Sequence, residues 1–313
     1  MRPLLNGGTL GGPMGRAKRQ PVRRNVVAVE RYSTAAAFLD ALHPRHRHWR
    51  PLPEHWIFRG HARASWSLLP AAFREESVAP FDGIPTIRIA EGARTAWERL
   101  VLREFGESLD AVGLALPGMT RQQLGQLKAE SSVSPQWIRE CIELAALAQH
   151  HGVPTRLLDF TQHAFVAAYF AALPPASHPG RDLCVWALDR SFLDHGNRCN
   201  GVWFSELRAS RATNPNLHAQ AGSFVVWTGL ARIVPLDGLL RSVVSGRFRL
   251  SSGSLMGRFP IMRKLILPRR EAPRLLELLV DERVTGATLF PGVDGVVREM
   301  KERLLYKRWP SRL

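Results

Sequence analysis

Cysteine and long apolar runs are both scarce in this 313-residue chain. The three cysteines, Cys141, Cys184 and Cys199, form no CxxC pair and cannot all pair with one another. A disulfide framework is therefore not expected, and a reducing, cytoplasmic location fits better. No run of about 18 or more apolar residues occurs, so the sequence predicts no membrane-spanning helix. The first residues include arginines but no apolar stretch, which argues against a secretion signal.

Several common motifs are missing as well. The sequence contains neither GxGxxG nor GxxxxGK[ST], so it indicates neither a Rossmann fold nor a P-loop. It also lacks the HExxH motif of zinc proteases and the GxSxG nucleophile elbow. His43, His46 and His48 stand close together, but the carboxylates or cysteines that usually complete a zinc site are absent from 43–49. We therefore expect a solvated turn there and no metal site.

The net charge of +16 is confined to the two ends of the chain. Residues 1–50 carry a net charge of +8 and residues 241–313 carry +9, whereas residues 51–240 carry −1. Basic ends favour weak, sequence-independent association with nucleic acid. A protein that reads a nucleic-acid sequence usually carries its basic residues on the folded binding face. The neutral centre of this chain does not favour that function. The alternative is compositional, because only five lysines occur and arginine-rich usage is typical of GC-rich genomes.

The chain predicts one domain behind a short tail. Residues 1–25 are rich in glycine, proline and arginine without periodicity, which indicates a disordered basic tail. Residues 26–313 are expected to form a single domain that ends in a basic helix. Helices and strands mix without regular βαβ alternation, which favours an α+β fold. The predicted elements are a strand and a helix within 26–42, strands at 56–60, 182–188, 222–228 and 263–267, and helices at 91–112, 136–149 and 163–173, after Pro273, and from Gly295 to Trp309.

Four segments resemble the FRG domain, a bacterial family named after a Phe-Arg-Gly motif. They include WIFRG, with Phe58-Arg59-Gly60, and QHHGVPTRLLDFT, which departs from the family's usual pattern by a phenylalanine in place of tryptophan. The other two resemble the family's QxGxF and LFPDxxG elements, the last with a glycine in place of aspartate. The four segments are Trp56–Gly60, Gln149–Thr161, Gln220–Phe224 and Leu289–Gly295.

The residues within these segments have their own physical interpretation. Arg59 carries a permanent charge inside an apolar strand, so it either grips a phosphate or carboxylate ligand or forms a structural salt bridge, perhaps with Asp159. Gly152 and Pro154 force a turn between two apolar helices. The polar residues around this turn either hydrogen-bond to one another as a structural network or line a binding cleft. They are Gln149, His150, Thr155, Arg156, Asp159 and Thr161.

The order of these motifs is similar to that of ADP-ribosyltransferases. That resemblance implies a split mixed or antiparallel sheet with flanking helices, NAD as a substrate without a permanently bound cofactor, and catalytic roles for Arg59, Asp159 and Gln220. Ligand contacts are then expected from Arg59, Gln149, His150, Thr155, Arg156 and Thr161. Gly222 stands where the family has a catalytic glutamate. That glutamate stabilises positive charge in the transition state, which a glycine cannot do. Either Glu206 or Asp159 substitutes for it, the chemistry has diverged, or the domain only binds a nucleotide.

These resemblances imply a toxin or phage-defence effector whose partners are an antitoxin or a target protein. The alternatives are a non-catalytic module that senses a nucleotide or a partner, and a nucleic-acid-associated protein that uses its basic ends. The first interpretation predicts that Arg59, the 149–161 segment and Gln220 surround one pocket, because buried polar groups need partners.

Overall fold

The computed structural model describes residues 26–50, 53–78, 81, 91–127, 136–174, 180–193, 198–199, 202–210, 214–229, 234–242 and 260–306. The predicted disordered tail, residues 1–25, lies outside this range. One domain over 26–313 stays a prediction, since parts of that range are not described.

One sheet holds eight strands of the described chain in the order β1-β8-β4-β2-β3-β7-β6-β5. Of its strand pairs only β1 with β8 is parallel, and the others are antiparallel. Helices flank this mostly antiparallel sheet, which agrees with the α+β class predicted from the sequence. The strands are β1 Val27–Arg31, β2 Trp56–His61, β3 Leu158–Thr161, β4 Asp182–Asp189, β5 Arg198–Cys199, β6 Val202–Leu207, β7 Gly222–Thr228 and β8 Met262–Pro268.

The shortest pairing between neighbouring strands of this sheet is that of β2 with β3. These two strands share a single register pair, Phe58 with Thr161, whereas β2 pairs with β4 along its whole length from Trp56 to His61. The sheet therefore consists of two halves, β1-β8-β4-β2 and β3-β7-β6-β5, that diverge just beyond one residue pair.

Twelve α-helices occur in the described residues, and none combines the length and apolarity needed to cross a membrane. They are α1 Ala35–Leu42, α2 Glu75–Val78, α3 Glu91–Ala111, α4 Arg121–Gly125, α5 Gln136–Glu140, α6 Ile142–His150, α7 Ala164–Ala172, α8 Pro215–Ala219, α9 Leu236–Ser242, α10 Ala272–Asp281, α11 Gly286–Leu289 and α12 Val293–Tyr306.

Both faces of the sheet are buried, which explains why its central strands are apolar along their length. Alternate residues of β4 point to opposite cores, Val185 to one and Trp186 to the other. Helix α9 covers one face through Leu236 and Leu240. On the opposite face, α1, α7 and α10 cover one half of the sheet, while α3, α5 and α6 cover the other half.

The predicted elements agree with the structure except at two places. The helix predicted at 136–149 is two helices, α5 and α6, which are separated at Cys141, and no side-chain cap accounts for the break. The segment 43–49 is a turn in which Pro44, Arg45 and Arg47 are exposed, as predicted, whereas His48 is packed. The His48 side chain is 9% exposed, and its Nε2 lies 2.7 Å from the Glu30 carboxylate. The prediction of a helix start at Ser33 or Thr34 is confirmed at Thr34, whose hydroxyl accepts a hydrogen bond from Ala37 N–H.

Helix α7 approaches β2 at the glycine of the Phe-Arg-Gly motif. A Cβ atom placed on Gly60 would lie 2.0 Å from the carbonyl oxygen of Ala167 and 2.7 Å from the amide nitrogen of Ala171. Both atoms belong to the backbone of α7, so a small side-chain shift cannot relieve the overlap. Glycine at position 60 therefore lets the helix seat directly on the strand that carries Arg59.

Candidate functional site

A cavity of about 460 Å³ lies where the two halves of the sheet diverge. Its volume falls within the ~300–1,000 Å³ that is usual for small-molecule sites. Residues from β2, β3, α6, α7 and β7 line it, together with others from α8 and from the loops after β2 and α11. The predicted site residues that line it are Arg59, Gln149, His150, Asp159, Thr161 and Gln220. Residues distant in sequence therefore meet at one cavity, as the shared-pocket prediction required.

Arg59 is held at the divergence of the strands by contacts on both sides. Its Nη1 donates to the backbone carbonyl of Asp159 at 2.8 Å and to the Asp159 carboxylate at 3.3 Å. Its Nε donates to Nε2 of His61 at 3.0 Å. Arg59 therefore forms the salt bridge with Asp159 that was one of the two roles weighed for it, and it also lines the cavity. That it grips a ligand stays a prediction.

The Asp159 carboxylate connects Arg59 to the turn at 149–161. Gln149 Nε2 donates to Asp159 Oδ1 at 2.5 Å, and the Thr155 hydroxyl donates to Gln149 Oε1. Thr155 is fully buried and lies outside the cavity lining, so it orients Gln149 from behind. Gly152 adopts a φ of 87°, which makes the turn that this network needs.

Arg156 also lies behind the cavity wall, so neither Arg156 nor Thr155 is among the lining residues, although ligand contacts were predicted for both. Its Nε donates to the Glu98 carboxylate at 2.7 Å, and its backbone N–H donates to the other carboxylate oxygen at 2.6 Å. The guanidinium also lies 4.7 Å from the ring centroid of Trp137. Arg156 thus ties the 149–161 segment to α3.

The remaining predicted residues lie on the far side of the cavity. The Thr161 hydroxyl donates to the Gln220 carbonyl at 2.7 Å, and Gln220 Nε2 donates to the Leu289 carbonyl at 3.2 Å. His150 is exposed at the rim, where Nε2 lies 3.2 Å from Asn216 Nδ2. Glu206, one of the two acids proposed to replace the missing glutamate, does not line the cavity and instead contacts Arg190 and Arg208.

Sequence reasoning missed several lining residues. His61 follows Arg59 by two positions on β2, and the period of two along a strand would have placed both on one face. Arg74 follows the short 3-10 turn Ala71–Phe73 in the loop after β2 and lines the cavity, and its Nε and Nη2 both donate to the Leu69 carbonyl. Ser223 is buried, and its hydroxyl has no hydrogen-bond partner among the described residues. Trp66 and Phe290 contribute aromatic surface.

The electrostatics of the lining favour an anion. Burial lowers the pKa of Arg74, and the neighbouring charge of Arg59 lowers it further. Burial, followed by the charges of Arg59 and Arg74, lowers the pKa of His61 well below its usual value, so the imidazole is neutral near pH 7. Among the described lining residues, Asp159 supplies the one carboxylate against two guanidinium groups. The cavity therefore carries a net positive charge.

The depressed pKa of His61 predicts that acid destabilises the fold. The unfolded chain takes up a proton near pH 6.5 that the folded state excludes, so stability is present above that pH and is lost as the pH falls. For one such histidine, lowering the pH from 7.5 to 5.5 costs about 1.4 kcal/mol. Urea unfolding at both pH values should show this loss in the wild type, reduced by about that amount in His61→Gln. An unchanged pH dependence in His61→Gln would contradict the assignment.

Comparison with known families identifies part of the chain. Residues 54–179 match the family model of the FRG domain. The match covers β2, β3 and α7, and with them Arg59, Gln149 and Asp159, whereas Gln220 and Phe290 lie beyond it. No curated protein and no solved structure matches the chain. Residues 54–179 are therefore similar to the FRG domain, as the sequence motifs in this part of the chain indicated.

Proposed function

We propose that the cavity binds a nucleotide with a diphosphate group, of the NAD type. The observation that carries this proposal is the pair of neighbouring guanidinium groups, Arg59 and Arg74, in a cavity whose described lining residues include one carboxylate, Asp159. Burial and the charge of Arg59 lower the pKa of Arg74, whereas Glu76 and Asp159 raise it. A bound anion would compensate the positive charge that remains at the lining. Among the described residues, Nη2 of Arg59 and Nη1 of Arg74 have no hydrogen-bond partner, which leaves each arginine a donor for a phosphate oxygen.

The rest of the lining suits the other parts of such a ligand. Trp66, which is 39% exposed, and Phe290 offer flat aromatic surfaces for a base or a nicotinamide ring. The neutral imidazole of His61 accepts a hydrogen bond from Arg59, which fixes the guanidinium plane. Arg59 therefore meets the ligand in one preset orientation, so little entropy is lost when a phosphate binds.

An ADP-ribosyl transfer is the reaction that best fits this arrangement. The order of motifs along the chain and the divergence of the sheet beyond Phe58–Thr161 support the resemblance to ADP-ribosyltransferases. In such a transfer the bond between nicotinamide and the ribose C1′ breaks, neutral nicotinamide leaves, and a nucleophile on the target attacks C1′ and loses a proton. A carboxylate stabilises the positive charge that develops on the ribose. With Glu206 away from the cavity, Asp159 is the candidate for this role, and modification of a target inside a bacterium would account for a toxin or phage-defence effector.

A binding module without catalysis is the second candidate. Gly222 lines the cavity at the position of the expected glutamate, and the Asp159 carboxylate is already engaged by Arg59 and Gln149. An assay for nicotinamide release from NAD distinguishes the enzyme from the binding module. The purified protein is assayed with and without a bacterial lysate as a source of targets. Binding of NAD without release in either condition assigns the sensing role.

The binding proposal predicts a large effect of Arg59→Lys. Lysine keeps the charge but loses the planar fork that holds Asp159, His61 and a phosphate at once. We expect Arg59→Lys to weaken the affinity for NAD at least about tenfold, a loss of about 1.4 kcal/mol, while the melting temperature of the free protein changes little. Isothermal titration with NAD, ADP-ribose and nicotinamide riboside measures the effect, and the first two should bind more tightly because they carry the diphosphate.

Arg31→Lys is the matched control, because Arg31 also pairs with an aspartate, Asp182, but is exposed and lies outside the cavity lining. It should bind NAD as the wild type does. Equal affinities for Arg59→Lys and the wild type, or no binding of either diphosphate ligand, would refute the proposed ligand class.

A further inference from the structure

Two polar side chains at the rim of the cavity hold each other. Asn216 and His150 both line the cavity, and Nδ2 of Asn216 lies 3.2 Å from Nε2 of His150. Burial, followed by the neighbouring His151, lowers the pKa of His150, so the imidazole is neutral near pH 7. A neutral imidazole has one acceptor nitrogen, and in that role Nε2 accepts an N–H of the Asn216 amide. His150 therefore fixes the orientation of this amide.

The contact with His150 leaves half of the Asn216 amide without a partner. Among the described residues, Oδ1 of Asn216 accepts no hydrogen bond and its second N–H donates none. The residue is half-buried, and its backbone carbonyl accepts a hydrogen bond of 2.9 Å from the N–H of Gln220. Asn216 therefore offers a ligand one acceptor and one donor on a single amide group. The guanidinium groups of Arg59 and Arg74 supply donors alone, which suit a phosphate but do not distinguish one ring from another.

The wall of the cavity that carries Asn216 also carries an aromatic ring. Gln220 lies one helical turn after Asn216, and its Nε2 donates to the Leu289 carbonyl at 3.2 Å. Phe290 follows Leu289 directly and lines the cavity. The guanidinium of Arg298 lies over the Phe290 ring at 3.9 Å from its centroid, so one face of this ring is covered. A planar group that packs against the rest of Phe290 has the Asn216 amide on the same wall, available to its edge.

We propose that Asn216, positioned by His150, selects the ring of the ligand by binding a ring edge that carries a hydrogen-bond donor beside an acceptor. Two parts of an NAD-type ligand have such an edge, the carboxamide of nicotinamide and the amino edge of adenine. A ring that lacks the donor, or that reverses the donor and the acceptor, leaves polar groups on both partners unpaired and is rejected. The inference rests on the proposed function, because it assigns a residue to the ring of that same ligand.

Isothermal titration of the wild type with NAD and two analogues tests the inference. One analogue carries a carboxylate in place of the carboxamide, and the other carries hypoxanthine in place of adenine, so each alters one of the two edges. The wild type should bind one of them at least about tenfold more weakly than NAD, and the rejected analogue identifies the ring that Asn216 binds. Asn216→Ala should lower this ratio of affinities to about two or less, with an unchanged melting temperature. His218→Ala, at an exposed residue of the same helix outside the cavity lining, is the matched control and should keep the wild-type ratio.

Variants of His150 test whether it acts through Asn216. His150→Ala removes the acceptor that holds the amide, so it should lose most of the discrimination between NAD and the rejected analogue. Glutamine has a carbonyl oxygen that can accept the same N–H, so His150→Gln should restore the discrimination. A histidine that only packs at the rim would not be replaced by glutamine in this selective way, and loss of discrimination in both variants would contradict its positioning role.

The outcomes separate this inference from the proposed function. Equal affinities of the wild type for NAD and both analogues would overturn the inference and leave the proposed ligand class in place. The same holds if folded Asn216→Ala keeps the wild-type ratio, or if it weakens the binding of all three ligands equally. No binding of any of the three dinucleotides would refute the proposed function and the inference together.

Discussion

Replacing Gly60 by alanine is expected to cost about 3 kcal/mol or more of the free energy of unfolding. The new methyl group would stand 2.0 Å from the Ala167 carbonyl oxygen and 2.7 Å from the Ala171 amide nitrogen. Relief requires α7 to move away from β2, and α7 carries Tyr169 and other buried residues of one core. Urea denaturation measures the loss, and a low yield of folded protein is expected at 37 °C.

Gly125→Ala provides the matched control within the same chain. Gly125 ends α4, and a Cβ atom there would meet nothing within 4 Å. Alanine is the better helix residue, so this variant should be as stable as the wild type or up to about 1 kcal/mol more stable. A Gly60→Ala protein within about 0.5 kcal/mol of the wild type would show that α7 adjusts at little cost, and the close approach would then not explain the motif's glycine.

The second large effect is expected for Glu98→Gln, at about 3–5 kcal/mol of the free energy of unfolding. Glu98 and Arg156 have side chains that are 0 and 1% exposed, and the carboxylate accepts both the Nε–H and the backbone N–H of Arg156. Glutamine keeps the shape but removes the negative charge, so the buried guanidinium loses its counter-charge. Chemical denaturation of the variant measures this cost.

Glu107→Gln removes a carboxylate of the same kind from the surface of the same helix, α3. Its partner Arg103 lies 2.7 Å away, and their side chains are 46 and 39% exposed. Exposed pairs of this type contribute about 0.5 kcal/mol or less, so this variant should be nearly neutral. Similar losses of unfolding free energy in the two variants would mean that burial does not explain how much the Glu98–Arg156 pair contributes to stability.

The sequence predicted where the site residues converge better than what each of them contacts. Arg59, Gln149 and Asp159 stand out because they are polar within apolar segments, and buried polar groups must find one another. The role of Arg156 was not predictable from such local signals, because its partner Glu98 lies 58 residues earlier on a helix whose pattern marks only the apolar face. The same limit applies to Arg74, whose place in the cavity depends on how the loop after β2 folds back.

Short elements were the least predictable part of the fold. The sequence did not predict strand β6, Val202–Leu207. Its alternate residues pack into two different apolar cores, and this pattern is visible only when β7 lies beside it. The break between α5 and α6 at Cys141 has no proline, glycine or capping side chain to announce it. Tertiary packing decides both features, whereas the long periodic segments at α3, α7 and α10 were predicted within a few residues.

The single register pair between β2 and β3 has a consequence for the cooperativity of unfolding. A continuous ladder of hydrogen bonds makes neighbouring strands open together, but here one pair, Phe58–Thr161, and the side-chain bridge from Arg59 to Asp159 link the two half-sheets directly. We therefore expect hydrogen exchange to show sub-global opening of the halves, which the apolar core shared by Ile57 and Phe160 otherwise holds together. A ligand that binds residues of both halves raises the free energy needed to separate them, because separation would break the ligand's contacts. The two halves would then open together.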